Sequence, residues 1–498
     1  MTSSAFPVRA ALSLVALAGL AGCTVGPDFR APDPPSEARY TRGATPAATV
    51  PAEGVAQNFV PARDLPAEWW RLYASPKLDA LVRAALDASP TLPQARARLV
   101  QAQENLKART ASVQWPSADG TAGVSRNQID PAALGFPEAP ATGPFTLYSI
   151  GFNVSYTVDA FGGARRELES LEAGVEARRY ELDAAQVALT ANVVTAAIRT
   201  AQLRDQIASA RSILDAQSKL LSIAEQRLAL GAVSAVDVAR QRALFAQTRA
   251  AIPPLERDLA QTKHALAVYT GSTPAEASQP VFALADFTLP RDVPLVVPAD
   301  LVRQRPDIRA SEARLHLASA AIGVAEANLY PRLTLSGGIS SDRTKIEDVL
   351  GSGANVWNIG IALVQPLLRW PELNARKREA IAAYDEALAG YREAVLLGVA
   401  NVADALRALE QDAHALAARS EAARETQRAY AITRERYALG GVSQLELLDA
   451  ERQRLDAELD RSLAAAARLA DTAALFQAMG GGWWAQSEAG LPVAGTRP

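Results

Sequence analysis

The chain has 498 residues, a formal charge of −3, one cysteine, three histidines, and 49% hydrophobic against 21% charged residues. That apolar fraction excludes wholesale disorder, and the near-neutral balance argues against a nucleic-acid binder. One cysteine with three scattered histidines excludes an intramolecular disulfide and an ordinary structural zinc site. At about 150 residues per domain the length suggests roughly three domains, while abundant alanine suggests long helices packed through small residues.

Arg9 precedes an apolar run from Ala10 to Gly22 that ends at Cys23. This is the layout of a secretory signal, and it falls short of the ~20 residues a spanning helix needs. Leu20-Ala21-Gly22-Cys23 resembles the bacterial lipoprotein box, which makes 1–22 a signal peptide and Cys23 the acylated first residue of the mature chain. Thr24 stands where an aspartate would favour retention in the inner membrane, so an outer-membrane address is expected. Residues 23–66, rich in Pro, Ala and Gly, read as an extended tether.

From there the chain reads twice. Leu228-Ala229-Leu230-Gly231-Ala232-Val233-Ser234 recurs as Tyr437-Ala438-Leu439-Gly440-Gly441-Val442-Ser443, and the same spacing sets Asn192-Val193 on Asn401-Val402. The repeats span about 67–285 and 286–482, leaving 483–498 as a tail, so duplication replaces the three-domain estimate. Each half reads as a helix, a polar Gly-rich stretch, a very long helix, a glycine turn and a returning helix.

In the first half, alternation from Tyr148 to Asp159 predicts a strand over about 147–159, with a weaker partner over about 116–127. The long helix follows over about 163–230. Leu203, Ile207, Ala210, Leu214, Gln217, Leu221, Ala224 and Leu228 form a heptad seam along it, and Pro253-Pro254 should kink the returning helix. In the second half, strands are expected over about 331–341 and 355–365 and the long helix over about 372–439, with a seam at Val402, Leu406, Leu409, Ala413 and Leu416. Each long helix would extend roughly 100 Å. Gly231 and Gly440 should cap them, and Ser234 and Ser443 should start the returning helices.

The twelve alternating residues from Tyr148 to Asp159 slightly exceed the 9–11 of a transmembrane β-strand, although ordinary half-buried hairpins would share the alternation. Four strands cannot close a barrel, and open edges cannot face lipid. Spanning a membrane therefore requires two, three or four copies, and counting does not choose among them. No Gly-x-Ser-x-Gly or Walker loop occurs, and His264, His316 and His414 are far apart, so no enzyme, metal site or cofactor is expected. A periplasmic coiled-coil adaptor or scaffold lipoprotein is the other reading, which the strand hairpins and the duplication disfavour.

The order of several motifs resembles the TolC-like outer-membrane efflux proteins, in particular the lipoprotein branch of NodT/OprM type. They are Cys23-Thr24-Val25-Gly26-Pro27-Asp28-Phe29, Trp69-Trp70, Arg305-Pro306-Asp307-Ile308-Arg309, Ile322-Gly323-Val324-Ala325 before Tyr330-Pro331, the two Leu-Gly turns, and Met479-Gly480-Gly481. The resemblance implies a mainly α protomer with a small β part, assembled as a trimeric α/β barrel of twelve strands and twelve helices. It implies a passive exit duct for small molecules such as drugs, toxic compounds or metal ions, served by a periplasmic adaptor and an inner-membrane proton-driven pump of the RND type. It further implies that Glu446 and Asp449 line the periplasmic mouth, that Tyr437 helps hold it closed, and that Leu230, Gly231, Leu439 and Gly440 meet the adaptor. Val442 stands where some relatives carry a basic residue. The three-residue spacing of Glu446 and Asp449 puts both on one helix face, where threefold symmetry would make a ring of six carboxylates. Acids also suit a helix start through the dipole alone.

Overall fold

The structure is a computed structural model that describes residues 24–37, 39–43, 46–61, 65–128, 135, 138, 143–351 and 355–483. The signal segment, Cys23 and nearly all of the expected 483–498 tail lie outside the described residues. In chain order the elements are β1 (Asn58–Pro61), α1 (Pro76–Ala88), α2 (Thr91–Gln114), β2 (Ser117–Asn127), β3 (Phe145–Val158), α3 (Gly163–Ala229) and α4 (Ala235–Tyr269). They continue with β4 (Asp292–Leu295), α5 (Pro298–Gln304), α6 (Pro306–Ala327), β5 (Arg332–Arg343), β6 (Asn355–Val364), α7 (Trp370–Ala438) and α8 (Gln444–Ala478). Among the described residues no helix is long and apolar enough to cross a membrane.

Two compact units are distinguished, and each draws on both halves of the chain. The first comprises 1–32, 99–178 and 311–391. It holds the four-stranded antiparallel sheet in the order β2-β3-β5-β6, together with segments of α2, α3, α6 and α7. The chain reaches α6 through Arg305, whose extended backbone (φ −83°, ψ 120°) ends α5 because Pro306 disfavours the helical region in the residue before it. Small residues let these helices approach closely. A Cβ on Gly163 would lie 2.9 Å from Cβ of Ala327, and one on Gly174 would touch Leu317 at 3.5 Å.

The second unit comprises 33–98, 179–310 and 392–498. Its core is aromatic: Trp69 packs on Phe476 at 5.5 Å and edge-on to Tyr73 at 6.5 Å, and the Tyr73 hydroxyl donates to the Leu469 carbonyl at 2.9 Å. β1 and β4 pair in parallel, with Asn58 opposite Asp292. Arg468 of α8 is buried and donates to Gln57 Oε1 (3.0 Å), Thr49 Oγ1 (2.9 Å) and the Val55 carbonyl (3.3 Å). Gln57 Nε2 in turn donates to Thr472, so this N-terminal segment is tied to α8 through neutral acceptors around one cation. The expectation of an extended tether over 23–66 is corrected here: Thr49, Ala52, Gln57, Phe59 and Leu65 are buried, and β1 pairs with β4.

One expectation is corrected along the long helices. The buried seam of α3 runs through Leu203, Ile207, Ala210, Ile213, Gln217, Leu220 and Ala224. Ile213 and Leu220 therefore fill the positions expected of Leu214 and Leu221, and Leu228 is exposed. Alternation of three- and four-residue steps fits either register, and packing decides between them. The seam of α7 at Val402, Leu406, Leu409, Ala413 and Leu416 is buried throughout. α4 contains Pro253 and Pro254 in its interior and runs on to Tyr269. Those prolines remove two helix hydrogen bonds without ending the helix.

Candidate functional site

Cross-strand partners share a face of the sheet, so the register sorts every side chain. One face carries the rows Phe152–Ile339–Trp357, Val154–Gly337–Ile359, Tyr156–Leu335–Ile361 and Val158–Leu333–Leu363. The other carries Ser155–Ser336–Gly360, Asn153–Gly338–Asn358 and Thr157–Thr334–Ala362, with Asp119 and Thr121 continuing it on β2. The apolar face is uncovered, and Ile359 is 83% exposed. Strands of 10 to 14 residues with one apolar and one polar face have the build of membrane-barrel strands. Among the described residues β2 and β6 each pair on one side only, so the sheet ends in two open edges.

At the corner between this sheet and the helices lies an open cavity of about 1300 Å³, lined by Tyr156, Arg109, Glu167, Arg369, Glu372 and Arg376 among others. Several of its charges are locally paired. Arg369 binds Glu372 at 2.9 Å in two hydrogen bonds, and Arg109 pairs with Glu167.

The two glycine turns have the same build. Gly231 (φ 70°) donates to the Leu228 carbonyl at 2.9 Å, and Ala232 donates to that of Arg227 at 2.9 Å. In the second turn Gly440 (φ 73°) donates to Tyr437 at 3.0 Å, and Gly441 donates to Arg436 at 2.7 Å. Both close α-helices through the left-handed conformation that glycine adopts at least cost. Each turn carries its leucine outward: Leu230 is 83% and Leu439 87% exposed. Ser234 then caps α4 by accepting from the Asp237 amide at 3.2 Å, and Ser443 caps α8 by accepting from the Glu446 amide at 3.2 Å.

Glu446 thus occupies the place in α8 that Asp237 occupies in α4, with the Ser443 hydroxyl donating to its carboxylate at 3.4 Å. Asp449 lies one turn on and accepts from Arg452 Nη2 at 3.1 Å and Gln453 Nε2 at 2.8 Å. The other arm of Arg452 donates to Asp456 at 2.8 Å. Burial raises the Asp456 pKa, Arg452 opposes the shift, and Asp460 and Asp449 add to it. Tyr437 is exposed in the last turn of α7. Asp449 therefore sits beside a cation, Arg452, at the i,i+3 spacing that favours such pairs on a helix.

His264 and His414 are exposed, whereas His316 has specific partners: its Nε2 lies 2.9 Å from Glu169 Oε1, and its ring stacks on Phe29 at 4.4 Å. Among the described residues no group of His, Cys, Asp and Glu has the arrangement of a metal site.

A two-faced sheet of membrane-strand length, joined in one chain to two long helical hairpins with exposed tips, defines a protomer of a membrane duct. Comparison with known proteins gives the family. The model described as "Outer membrane efflux protein" matches residues 81–272 and 297–481, and the chain belongs to this family of transport ducts rather than enzymes. It is 30% identical over 418 residues to the pyoverdine export outer membrane protein OpmQ of Pseudomonas aeruginosa, covering 84% of this chain and 87% of that protein. It is 28% identical over 476 residues to the toluene efflux pump outer membrane protein TtgF of Pseudomonas putida, covering 95% and 96%. The solved outer-membrane channel OprN superposes with a TM-score of 0.79 at 29% identity, over 93% of this chain and all of that one.

Proposed function

We propose that this protein is the exit duct of a tripartite efflux pump, a homotrimer that passively conducts small molecules from an inner-membrane RND pump and a periplasmic adaptor across the outer membrane. The two-faced sheet with its open edges carries the reading. An edge strand in lipid leaves its N–H and C=O groups unsatisfied at several kcal/mol each. Pairing β6 of one copy with β2 of the next removes every edge, and three copies give a closed twelve-stranded barrel. The apolar face then meets lipid, and the polar face lines the passage. The charged cavity below the strands continues that lining.

The duplicated halves, 67–285 and 286–482, supply one hairpin of strands and one hairpin of helices each, a division supported by the two matched stretches and by the like-built turns. Leu230, Gly231, Leu439 and Gly440 form the adaptor-contacting tips. Their outward leucines can enter apolar grooves on a partner at little cost to the protomer. Glu446, Asp449 and Tyr437 form the periplasmic gate, with Arg452 holding Asp449 in a local pair. Cys23 carries the acyl groups that anchor the chain to the outer membrane. The cargo is set by the pump, since relatives of similar identity are named for pyoverdine and for toluene.

Planar-bilayer recording tests the duct and its acidic mouth together. The purified protein should form ohmic, cation-preferring channels blocked by divalent ions, and Glu446→Ala with Asp449→Ala should abolish both properties. Absence of conductance overturns the duct, and unchanged selectivity and block in the double variant overturn the acidic ring.

A further inference from the structure

The motif that follows the cysteine, Thr24-Val25-Gly26-Pro27-Asp28-Phe29, belongs to no part of the conduction path. In the structure it lies along a groove of the first unit, where its contacts are unusually complete. The Arg166 side chain is only 6% exposed, and a buried guanidinium requires acceptors for its donors. Its Nε donates to the Val25 carbonyl at 3.2 Å, while Nη2 donates to the Gly26 carbonyl at 3.3 Å and to Asp28 Oδ1 at 2.7 Å. Only Glu169, accepting from Nη1 at 2.7 Å, comes from the helices.

Further contacts fix the segment's ends. The Val25 amide donates to the Phe161 carbonyl at 3.1 Å, and the Phe29 ring lies on His316, 13° from parallel. Glu169 joins the two fixtures, since His316 also contacts it. Two glycines make the approach possible. A Cβ on Gly26, whose φ is +92°, would lie 2.4 Å from Cα of Gly323, and one on Gly162 would lie 2.6 Å from Thr24 Cγ2. Backbone thus touches backbone where the segment crosses α6.

We propose that residues 24–29 are a docking strap, bound by Arg166, Glu169, His316 and Gly323, that seats the acylated N-terminus at the corner where β3 passes into α3. The proposal rests on Cys23 being acylated. Thr24 lies against Gly162, where β3 passes into α3, so the strap holds the start of the mature chain at the membrane end of α3. The strap also joins the halves of the duplication, because Arg166 belongs to α3 of the first half and His316 and Gly323 to α6 of the second.

Chymotrypsin cleavage after Phe29, followed by mass spectrometry on the full-length protein in nanodiscs, tests the strap. Phe29 cannot occupy the protease pocket while stacked on His316, so the cleavage rate follows the undocked population. Asp28→Asn, which alters a side chain that is 90% exposed, should accelerate cleavage about tenfold, the value of one charge-assisted hydrogen bond. Gly26→Val should bring the rate to that of a free peptide of residues 24–35. Arg166→Gln should do the same, and if that variant fails to assemble, the two strap variants carry the test. Wild-type rates in both strap variants overturn the strap. The mass of the wild-type N-terminal peptide separates the two ideas: an unmodified Cys23 overturns the anchor and hence the strap's purpose, whereas docking is judged by the cleavage rates.

Discussion

Ile359 and Asn358 are neighbours in β6, yet the register places them on opposite faces of the sheet. Ile359 lies in the row Val154–Gly337–Ile359, on the apolar face, and makes few contacts within the protomer. Ile359→Arg therefore changes mainly what the side chain meets outside the protein. An arginine on the lipid face near the bilayer midplane costs about 2–4 kcal/mol per copy, or roughly 6–12 kcal/mol in a trimer. That is comparable to the whole stability of a typical domain. Asn358→Arg would project among Asn153 and Asn358's other polar neighbours on the lumen side and carry no such penalty. The assay is the yield of heat-modifiable oligomer in outer-membrane fractions, with total protein as the reference. Ile359→Arg should lose most of the assembled species, and Asn358→Arg should retain it while altering single-channel conductance. Equal yields for the two variants, or loss confined to Asn358→Arg, would refute the assignment of faces.

Removing the cation beside Asp449 with Arg452→Ala should increase cation preference, read as a larger reversal potential across a KCl gradient; a decrease would contradict the local pairing. At the tips, Leu230→Asp with Leu439→Asp should abolish crosslinking to the cognate adaptor. Both side chains are exposed, so the effect on stability should stay within about 0.5 kcal/mol, and an intact crosslink would remove the tips from the interface. In the second unit Asp412 of α7 is pushed up to about 7, first by burial and then by its hydrogen bond to and charge from Asp471, with Arg468 opposing. Its folded pKa lies above the unfolded value, so the native state holds the extra proton between about pH 4 and 7. Stability should fall as pH rises through that window and level off above it. Asp412→Asn should raise the thermal midpoint at pH 8 by the equivalent of about 1–2 kcal/mol, after discounting for its partial exposure. No gain at pH 8 would contradict the shift.

What the sequence made legible has a local period or a local signature. Alternation marked the strands, and the register then turned that alternation into two faces. The repeated Leu-Gly-x-x-Ser signature marked both turns because its glycine and serine each answer one unsatisfied end of a helix. Phase along the long helices was less legible. A three-four pattern rich in alanine allows neighbouring registers, so Ile213 and Leu220 took the places expected of Leu214 and Leu221. Least legible were the contacts across long sequence separations. Arg166 meets Asp28 from 138 residues away, and His316 meets Glu169 from 147. Arg468 reaches Gln57 across 411 residues. Nothing in the pattern around a helical arginine says which distant segment will satisfy it. The Gly26 and Gly323 motifs were visible separately, but only folding reveals that each is small because of the other.

On this reading a four-stranded sheet with open edges becomes a membrane duct by assembling three copies. Native mass spectrometry of protein extracted from outer membranes tests it most directly. The expected species is a trimer that resists carbonate extraction and dissociates on heating in detergent, whereas a carbonate-soluble monomer would contradict the assembly.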